Sequence, residues 1–322
     1  MGRIRWLDGA YGAMATSPTT LLAPLDRSLI RVDGPDRHDF LHRVCSQDVL
    51  GMGPGEGRPA ALLTAKGKVA ALFVLWKLPD TVLLEVERPH ASGLLTQLDR
   101  YLFSEQVVLK DLGSQLHAVL AVGPGATALL AAAAPGLEPE PGRGGWRTTT
   151  PERFSGPAVA LGTPGQVLHA LPAEIAALLA GGQPQVDAAE LERWRIAAGI
   201  PRLAVDTDAS TLPPEANLDA AVSTTKGCYV GQEIVARIHT YGHVNRRLVR
   251  LGVATATVPA AGAPLWAEGE VVGRITSAVA VPAAGRVEAL GYVPRVLATP
   301  GEVLTVGQDG PPAQVLALEA AP

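Results

Sequence analysis

The sequence predicts an α+β chain of mostly antiparallel strands that closes with a small C-terminal β-barrel. Three observations predict it. Apolar runs of strand length dominate residues 28–122 and join through tight turns, helical periodicity is confined to short segments with recognisable ends, and the chain after Leu248 is short β-runs separated by Pro and Gly. The 322 residues are 47% hydrophobic and 18% charged, enough apolar content to bury a sizeable core and too much for a disordered chain. With 35 glycines and 27 prolines, turns are frequent, which does not suit a long helical bundle.

Taken in order, Ser28 to Val32 reads as a strand, and Asp33-Gly34-Pro35 turns the chain into a helix with Pro35 at its first position and Phe40, Leu41 and Val44 on one face. Arg58 to Thr64 and Val69 to Lys77 are strands joined through Ala65-Lys66-Gly67-Lys68, a hairpin signal, and Thr81 to Glu87 is a third strand. Pro89 to Phe103 reads as a helix despite Gly93. Strands at Glu105 to Asp111 and Leu116 to Val122 precede a short Ala-rich helix, Ala126 to Ala134. Pro135 to Pro157 is the most punctuated stretch and reads as a surface loop. Ala158 to Leu161 and Gln166 to Leu171 flank Thr163-Pro164-Gly165, a second hairpin signal, and Glu174 to Ala180 has helical character.

The best helix start follows: Asp187 as N-cap, Glu190 three residues on, and Val186 against Leu191 as a hydrophobic staple. That helix ends at Gly199, with Pro201 just beyond. Gly231 to Ile238 opens a last helix. The β-runs of the barrel are Leu248 to Val253, Val271 to Ala280, Ala289 to Val293, Glu302 to Val306 and Ala313 to Leu318.

A net charge of −4 gives no sequence-wide positive field, so direct nucleic-acid binding and adhesion to anionic lipid are not expected. Cys45 and Cys228 are too few for a disulfide framework and point to a reducing compartment. The opening MGRIRWLDGAYGAM lacks the apolar segment of a secretion signal, and Trp6 makes Gly2 a poor myristoylation site. The strongest apolar run, Val69 to Trp76, stops at Lys77, far short of a membrane span. A cytoplasmic protein is expected.

Lys226-Gly227-Cys228-Tyr229-Val230-Gly231-Gln232-Glu233 is the one dense run of reactive and permissive residues. A thiol beside an ammonium and near a helix N-terminus favours the reactive thiolate, with Gly227 and Gly231 letting the backbone bend. The same residues also suit a buried small thiol and a solvated lysine. Cys228, His239 and His243 fall one ligand short of a tetrahedral metal site, and Gly242 interrupts the helix that would align them, so no metal is expected. No Gly-x-Ser-x-Gly elbow or Walker A occurs, and Gly123-Pro124-Gly125 lacks the rest of a dinucleotide fingerprint. Lys66 and Lys68 at the hairpin tip fit a solvated turn or an anionic tail. Trp194 fits core or ligand platform, and Arg195 an ion pair or a ligand contact.

The run Lys226 to Glu233 resembles the signature of the YgfZ family of folate-binding proteins, relatives of the T-protein (aminomethyltransferase) of the glycine cleavage system. Trp194 to Pro201 and Leu212 to Leu218 resemble the segments that precede it. Gly34-Pro35-Asp36-Arg37 with Phe40-Leu41 and Ser46-Gln47-Asp48 resembles the family's N-terminal segment, as Lys66-Gly67-Lys68 resembles its hairpin. Val235-Ala236-Arg237 and Arg246-Arg247-Leu248 continue the match.

The resemblance implies two intertwined α+β subdomains around a folate channel over residues 1–241 and a C-terminal barrel over residues 242–322. It implies tetrahydrofolate or a one-carbon derivative as ligand, Trp194, Arg195, Lys226 and Arg237 as folate contacts, and Cys228 with Lys226 as the reactive centre of a motif completed by Gly227, Tyr229, Gly231, Gln232 and Glu233. The implied role is assistance to assembly or repair of iron-sulfur proteins, including cluster-dependent tRNA-modifying enzymes, through transient contact with these clients rather than as a classical turnover enzyme. Two rivals stand beside it: a true aminomethyltransferase-type one-carbon transfer enzyme and a folate-free interaction scaffold. Against the first, no Asp or Glu stands between Gly67 and Asp80, so none lies just after Gly67, where the T-protein places a carboxylate near the reacting nitrogen, and Ala197 replaces a pterin-facing Glu.

Overall fold

The computed structural model describes residues 19–139, 146–149, 152–159, 161 and 163–318. The segment read for secretion and lipidation signals lies outside the described residues. In chain order these residues form β1 (Leu21–Leu25), β2 (Arg27–Asp33), α1 (Arg37–Val44), β3 (Glu56–Leu63), β4 (Val69–Lys77), β5 (Val82–Glu87), α2 (Ala91–Asp99), β6 (Val108–Asp111), β7 (His117–Val122) and α3 (Ala126–Ala133). There follow β8 (Glu138–Pro139), β9 (Trp146–Thr149), β10 (Glu152–Pro157), β11 (Gln166–Ala170), α4 (Pro172–Ala180), α5 (Ala188–Ala197) and α6 (Gln232–Tyr241). The chain ends in β12 (Arg246–Val253), β13 (Pro264–Ala267), β14 (Glu270–Val281), β15 (Arg286–Pro294), β16 (Val303–Val306) and β17 (Pro312–Leu316).

Three sheets organise these elements: β3-β4-β5-β2-β6, β1-β7-β11-β10-β9-β8, and a closed barrel β12-β15-β14-β13-β16-β17. The first two belong to intertwined α+β subdomains, because β1 and β2, separated only by Asp26, lie in different sheets. The first sheet is buried on both faces, which is why β4 and β5 read as continuous apolar runs instead of alternating. Phe73, Leu75, Val82 and Leu84 pack against α1 and α2. Val74, Trp76 and Leu83 face the second sheet, where the Trp76 and Phe154 rings meet tilted at 57° with centroids 5.0 Å apart. The outer face of the second sheet is covered by α3 and α4.

Three readings of the sequence are corrected. The stretch Pro135 to Pro157 holds β8, β9 and β10 at the edge of the second sheet, because its Pro and Gly punctuate short hairpins and Phe154 has a buried partner in Trp76; residues 140–145, 150 and 151 lie outside the described residues. The hairpin at Thr163-Pro164-Gly165 therefore pairs β10, not Ala158 to Leu161, with β11. Strands β1 and β13 have no counterpart in the sequence reading: Pro24 obscures the first, whose register Leu22↔Ala121 is set by β7, and the second is four residues long.

Helix α5 starts as its cap predicts, with the Asp187 carboxylate accepting from the Glu190 N–H at 2.8 Å, and ends before Gly199 at φ +67°. Beyond it, the buried Asp206 carboxylate accepts hydrogen bonds from Arg195 Nη1 (2.7 Å), Ser277 Oγ (2.7 Å), Arg202 N (3.0 Å) and Thr276 Oγ1. Its carbonyl accepts from the Tyr292 hydroxyl at 2.8 Å. The Asp206 side chain thus fastens α5 to β14, and its backbone carbonyl reaches β15. Among the described residues no helix is long and apolar enough to cross a membrane, and no group of His, Cys, Asp and Glu is arranged to hold a metal.

Candidate functional site

The signature run forms a loop that closes onto α6, and most of its polar atoms are committed to holding that loop. Ser46 and Gln47 clamp the approach: Ser46 Oγ donates to Ala221 O at 2.6 Å, Gln47 Nε2 to Ala220 O at 3.0 Å, and Ser223 N to Ser46 O at 2.8 Å. The Lys226 ammonium then donates to the carbonyls of Cys45 (2.7 Å), Gln47 (3.0 Å) and His42, and sits 4.7 Å from the centroid of the Tyr229 ring. A cation placed on the free carbonyls of a helix C-terminus is favourable, and here it ties the loop to α1. Burial holds Lys226 below the usual lysine range, while Cys45 and Asp48 act in the opposite direction. Burial also pushes the Tyr229 phenol up to about 12.

Gly231 is the N-cap of α6 at φ +80°, and a Cβ there would stand 2.3 Å from the Thr64 carbonyl oxygen. Gly67, at φ +69°, faces it from the hairpin tip; its own Cβ would meet the Gly231 carbonyl oxygen at 3.2 Å. The two glycines let the β3-β4 hairpin seat against the start of α6, which is the physical reason both are glycine. Gln232 accepts from the Tyr229 N–H at 3.2 Å. Glu233 and Arg237 form an exposed pair one helical turn apart, at 2.9 Å. Cys228 is exposed, and the space around Gly227 is open. Cys228 is the one nucleophile of the run left facing solvent.

The two cysteines differ in exposure. Cys45 is fully buried at the end of α1, and burial pushes its thiol up. The ammonium expected to activate Cys228 is instead committed to the carbonyls around Cys45.

A cavity of about 900 Å³ lies between α5, the ends of the first two sheets and the barrel. Leu25, Leu72, Phe73, Leu191, Ile200 and Leu218 give it an apolar wall. Its guanidiniums are Arg27, Arg195, Arg202 and Arg247. Arg27 pairs with the buried Glu85 at 3.4 Å, Arg202 with Glu87 at 3.1 Å, and Arg195 with Asp206 at 2.7 Å and with Glu192 at 2.5 Å. Of the four residues expected to contact a ligand, Arg195 lines the cavity. Trp194 is 1% exposed and packs in the core beneath α5, its indole N–H donating to Glu190 at 2.7 Å. Lys226 and Arg237 are not on the wall, and neither is any other residue from Lys226 to Glu233. The sequence reading missed Arg202, Asn217 and Arg247 as wall residues. Asn217, at φ +57°, carried the one local signal, since Asn tolerates that backbone and bridges the carbonyls of Gly199 and Leu248.

A model of the glycine cleavage T-protein C-terminal barrel domain matches residues 246–319. The crystal structure of the glycine cleavage system aminomethyltransferase T from Bartonella henselae superposes with a TM-score of 0.83 at 23% identity, covering 95% of this chain and 87% of that one. Over 79% of this chain and 77% of the relative, the sequence is 29% identical to the tRNA-modifying protein YgfZ of Yersinia pestis. It is also 29% identical to the mitochondrial iron-sulfur cluster assembly factor IBA57 of Mus musculus, over 82% of this chain and 77% of that protein.

The chain is a YgfZ-like relative of the T-protein. A putative chloroplastic transferase of Arabidopsis thaliana, At1g60990, is 27% identical over 87% of this chain, which spans 66% of that relative's length. In this relative of the T-protein, the β3-β4 hairpin sends no carboxylate into the cavity: its strands contribute Pro59, Ala60, Leu72 and Phe73 to the wall. Ala197 is buried at 2% exposure and is not on the wall. The carboxylates that do line it are Asp26, Glu87, Glu192 and Asp219, of which the first three are paired with Arg88, Arg202 and Arg195.

Proposed function

We propose that the chain binds tetrahydrofolate, or a one-carbon derivative of it, in the cavity beside α5. On this reading it serves the assembly or repair of iron-sulfur proteins, cluster-dependent tRNA-modifying enzymes among them, through transient contacts with those clients. The observation that carries the reading is the cavity itself: a chamber of about 900 Å³ lined by apolar side chains and by charged groups, a size and chemistry suited to a flat heterocycle with an acidic tail, on the T-protein fold. The cellular role is supported by relatives named an iron-sulfur cluster assembly factor and a tRNA-modifying protein.

The missing hairpin carboxylate argues for a binding protein over an aminomethyltransferase. Methylene transfer needs a group that moves a proton at the reacting nitrogen, and such groups contribute on the order of a hundredfold or more. Reconstitution with the partner proteins of the glycine cleavage system is expected to give no turnover; rates near those of a genuine T-protein would overturn this. Cys228 is assigned as the functional thiol, presented to a client protein from outside the cavity, and the signature residues Lys226, Gly227, Tyr229, Gly231, Gln232 and Glu233 as the frame that presents it. The chain divides, on this reading, into a folate-binding region over residues 1–241 and the barrel over residues 242–322.

The deciding experiment is an equilibrium titration with tetrahydrofolate together with complementation of a deletion strain assayed for iron-sulfur enzyme activity. Saturable binding and rescue are expected. A chain that rescues without binding folate is an interaction scaffold, and the folate reading falls.

A further inference from the structure

Resting on the folate reading, we propose that Arg247 is the residue that captures the carboxylates of the ligand's glutamyl tail. The charges of the cavity wall single it out. Arg27, Arg195 and Arg202 each lie within 3.4 Å of a carboxylate of this chain, and a guanidinium already neutralised in this way has little to offer an anion. Arg247 has no ion-pair or hydrogen-bond partner among the described residues, and it is exposed on the wall.

Its neighbour explains why. Arg246 and Arg247 begin β12, and consecutive strand residues point to opposite faces. Arg246 is taken up by the barrel side, 3.2 Å from Glu215 and stacked 4.7 Å over the Tyr292 ring. Arg247 is thereby turned to the cavity. A solvated surface arginine has the same exposure; what sets Arg247 apart is that it is the wall's one uncommitted guanidinium among the described residues. The planar fork of an arginine matches a carboxylate bidentately. Asp219, the wall carboxylate with no ion-pair partner among the described residues, repels an anion and does not compete for it. The expected contacts Lys226 and Arg237 are replaced in this role, since neither is on the wall.

The test compares tetrahydrofolate with tetrahydropteroate, which lacks the glutamyl tail, on wild-type protein and on Arg247→Gln, with a thermal midpoint to confirm that the variant folds. Wild type is expected to bind tetrahydrofolate more tightly than tetrahydropteroate. Arg247→Gln is expected to weaken tetrahydrofolate about tenfold or more, with a change of less than about twofold for tetrahydropteroate. Arg247→Lys, which keeps the charge and loses the fork, should fall between. An unchanged tetrahydrofolate affinity, or equal losses for both ligands, would overturn the assignment of the tail to Arg247. If wild type binds neither ligand, it is the folate reading itself that fails.

Discussion

The ammonium of Lys226 lies 2.7 Å from the carbonyl oxygen of Cys45, so the lysine of the signature is bonded to the backbone of the buried cysteine while the exposed cysteine, two residues along, is left to solvent. This relationship makes Lys226 a structural tie between the signature loop and the end of α1. Lys226→Met should destabilise the fold by about 1.5 to 3 kcal/mol, the range for hydrogen bonds involving a charged group, measured by denaturant unfolding. Because burial lowers the folded pKa, the unfolded chain binds this proton more tightly just below the ordinary lysine value. Stability attributable to Lys226 should therefore rise with pH toward that value, and the gap between wild type and Lys226→Met should widen in wild type's favour.

The two glycines of the signature should respond oppositely to alanine. At Gly231 a Cβ meets the Thr64 carbonyl with φ at +80°, whereas at Gly227 it meets nothing within 4 Å. Gly231→Ala is expected to cost about 1 to 3 kcal/mol or more, and Gly227→Ala to stay within roughly 0.5 kcal/mol. Equal melting temperatures for the two variants would contradict the seating of the hairpin on α6.

Native-state alkylation should label Cys228 and spare Cys45, which is 0% exposed. Cys228→Ala should leave unfolding midpoints and tetrahydrofolate affinity nearly unchanged and abolish rescue of iron-sulfur enzyme activity. Full complementation by Cys228→Ala, or faster labelling of Cys45, would remove Cys228 from the functional role.

Asp206 should be the costliest single carboxylate to remove. Asp206→Ala leaves Arg195 buried with only part of its compensation, a loss of about 3 to 5 kcal/mol for a broken buried pair. Asp206→Asn, which keeps the shape, should cost less. The readout is the chemical unfolding midpoint, followed by tetrahydrofolate titration of Asp206→Asn to see whether loosening α5 from the barrel weakens the cavity.

Acid should weaken the fold through His38. Burial, followed by Arg37 and Lys77, pulls its pKa down to about 4, and its Nε2 is buried with no hydrogen-bond partner among the described residues. The folded state holds the neutral ring, so the unfolded chain takes up the proton first as pH falls. This contribution is complete above pH 6.5 and is lost between 6.5 and about 4. Replacing His38 with Gln should flatten stability in that window by on the order of 1 kcal/mol after solvent screening.

Local chemistry made much of this protein legible in one dimension. The bounds Val69–Lys77 of β4 follow from an apolar run between a glycine turn and a lysine, the start of α5 follows from Asp187, and the αL glycines at 67, 199 and 231 mark where the chain must turn. Each depends on residues a few positions apart, so the sequence by itself determined the antiparallel α+β class, the β-rich end and the motif that carries the exposed thiol. Tertiary structure decided the partners. Whether Lys226 faces Cys228 or the carbonyls of α1, whether Trp194 meets a ligand or the core, and which of Arg246 and Arg247 turns to the cavity depend on elements about 30 to 180 residues away along the chain. Electrostatic and packing energies act through space at a few ångströms, and no local pattern of residue types records which distant carbonyl, ring or carboxylate the fold will bring within that reach.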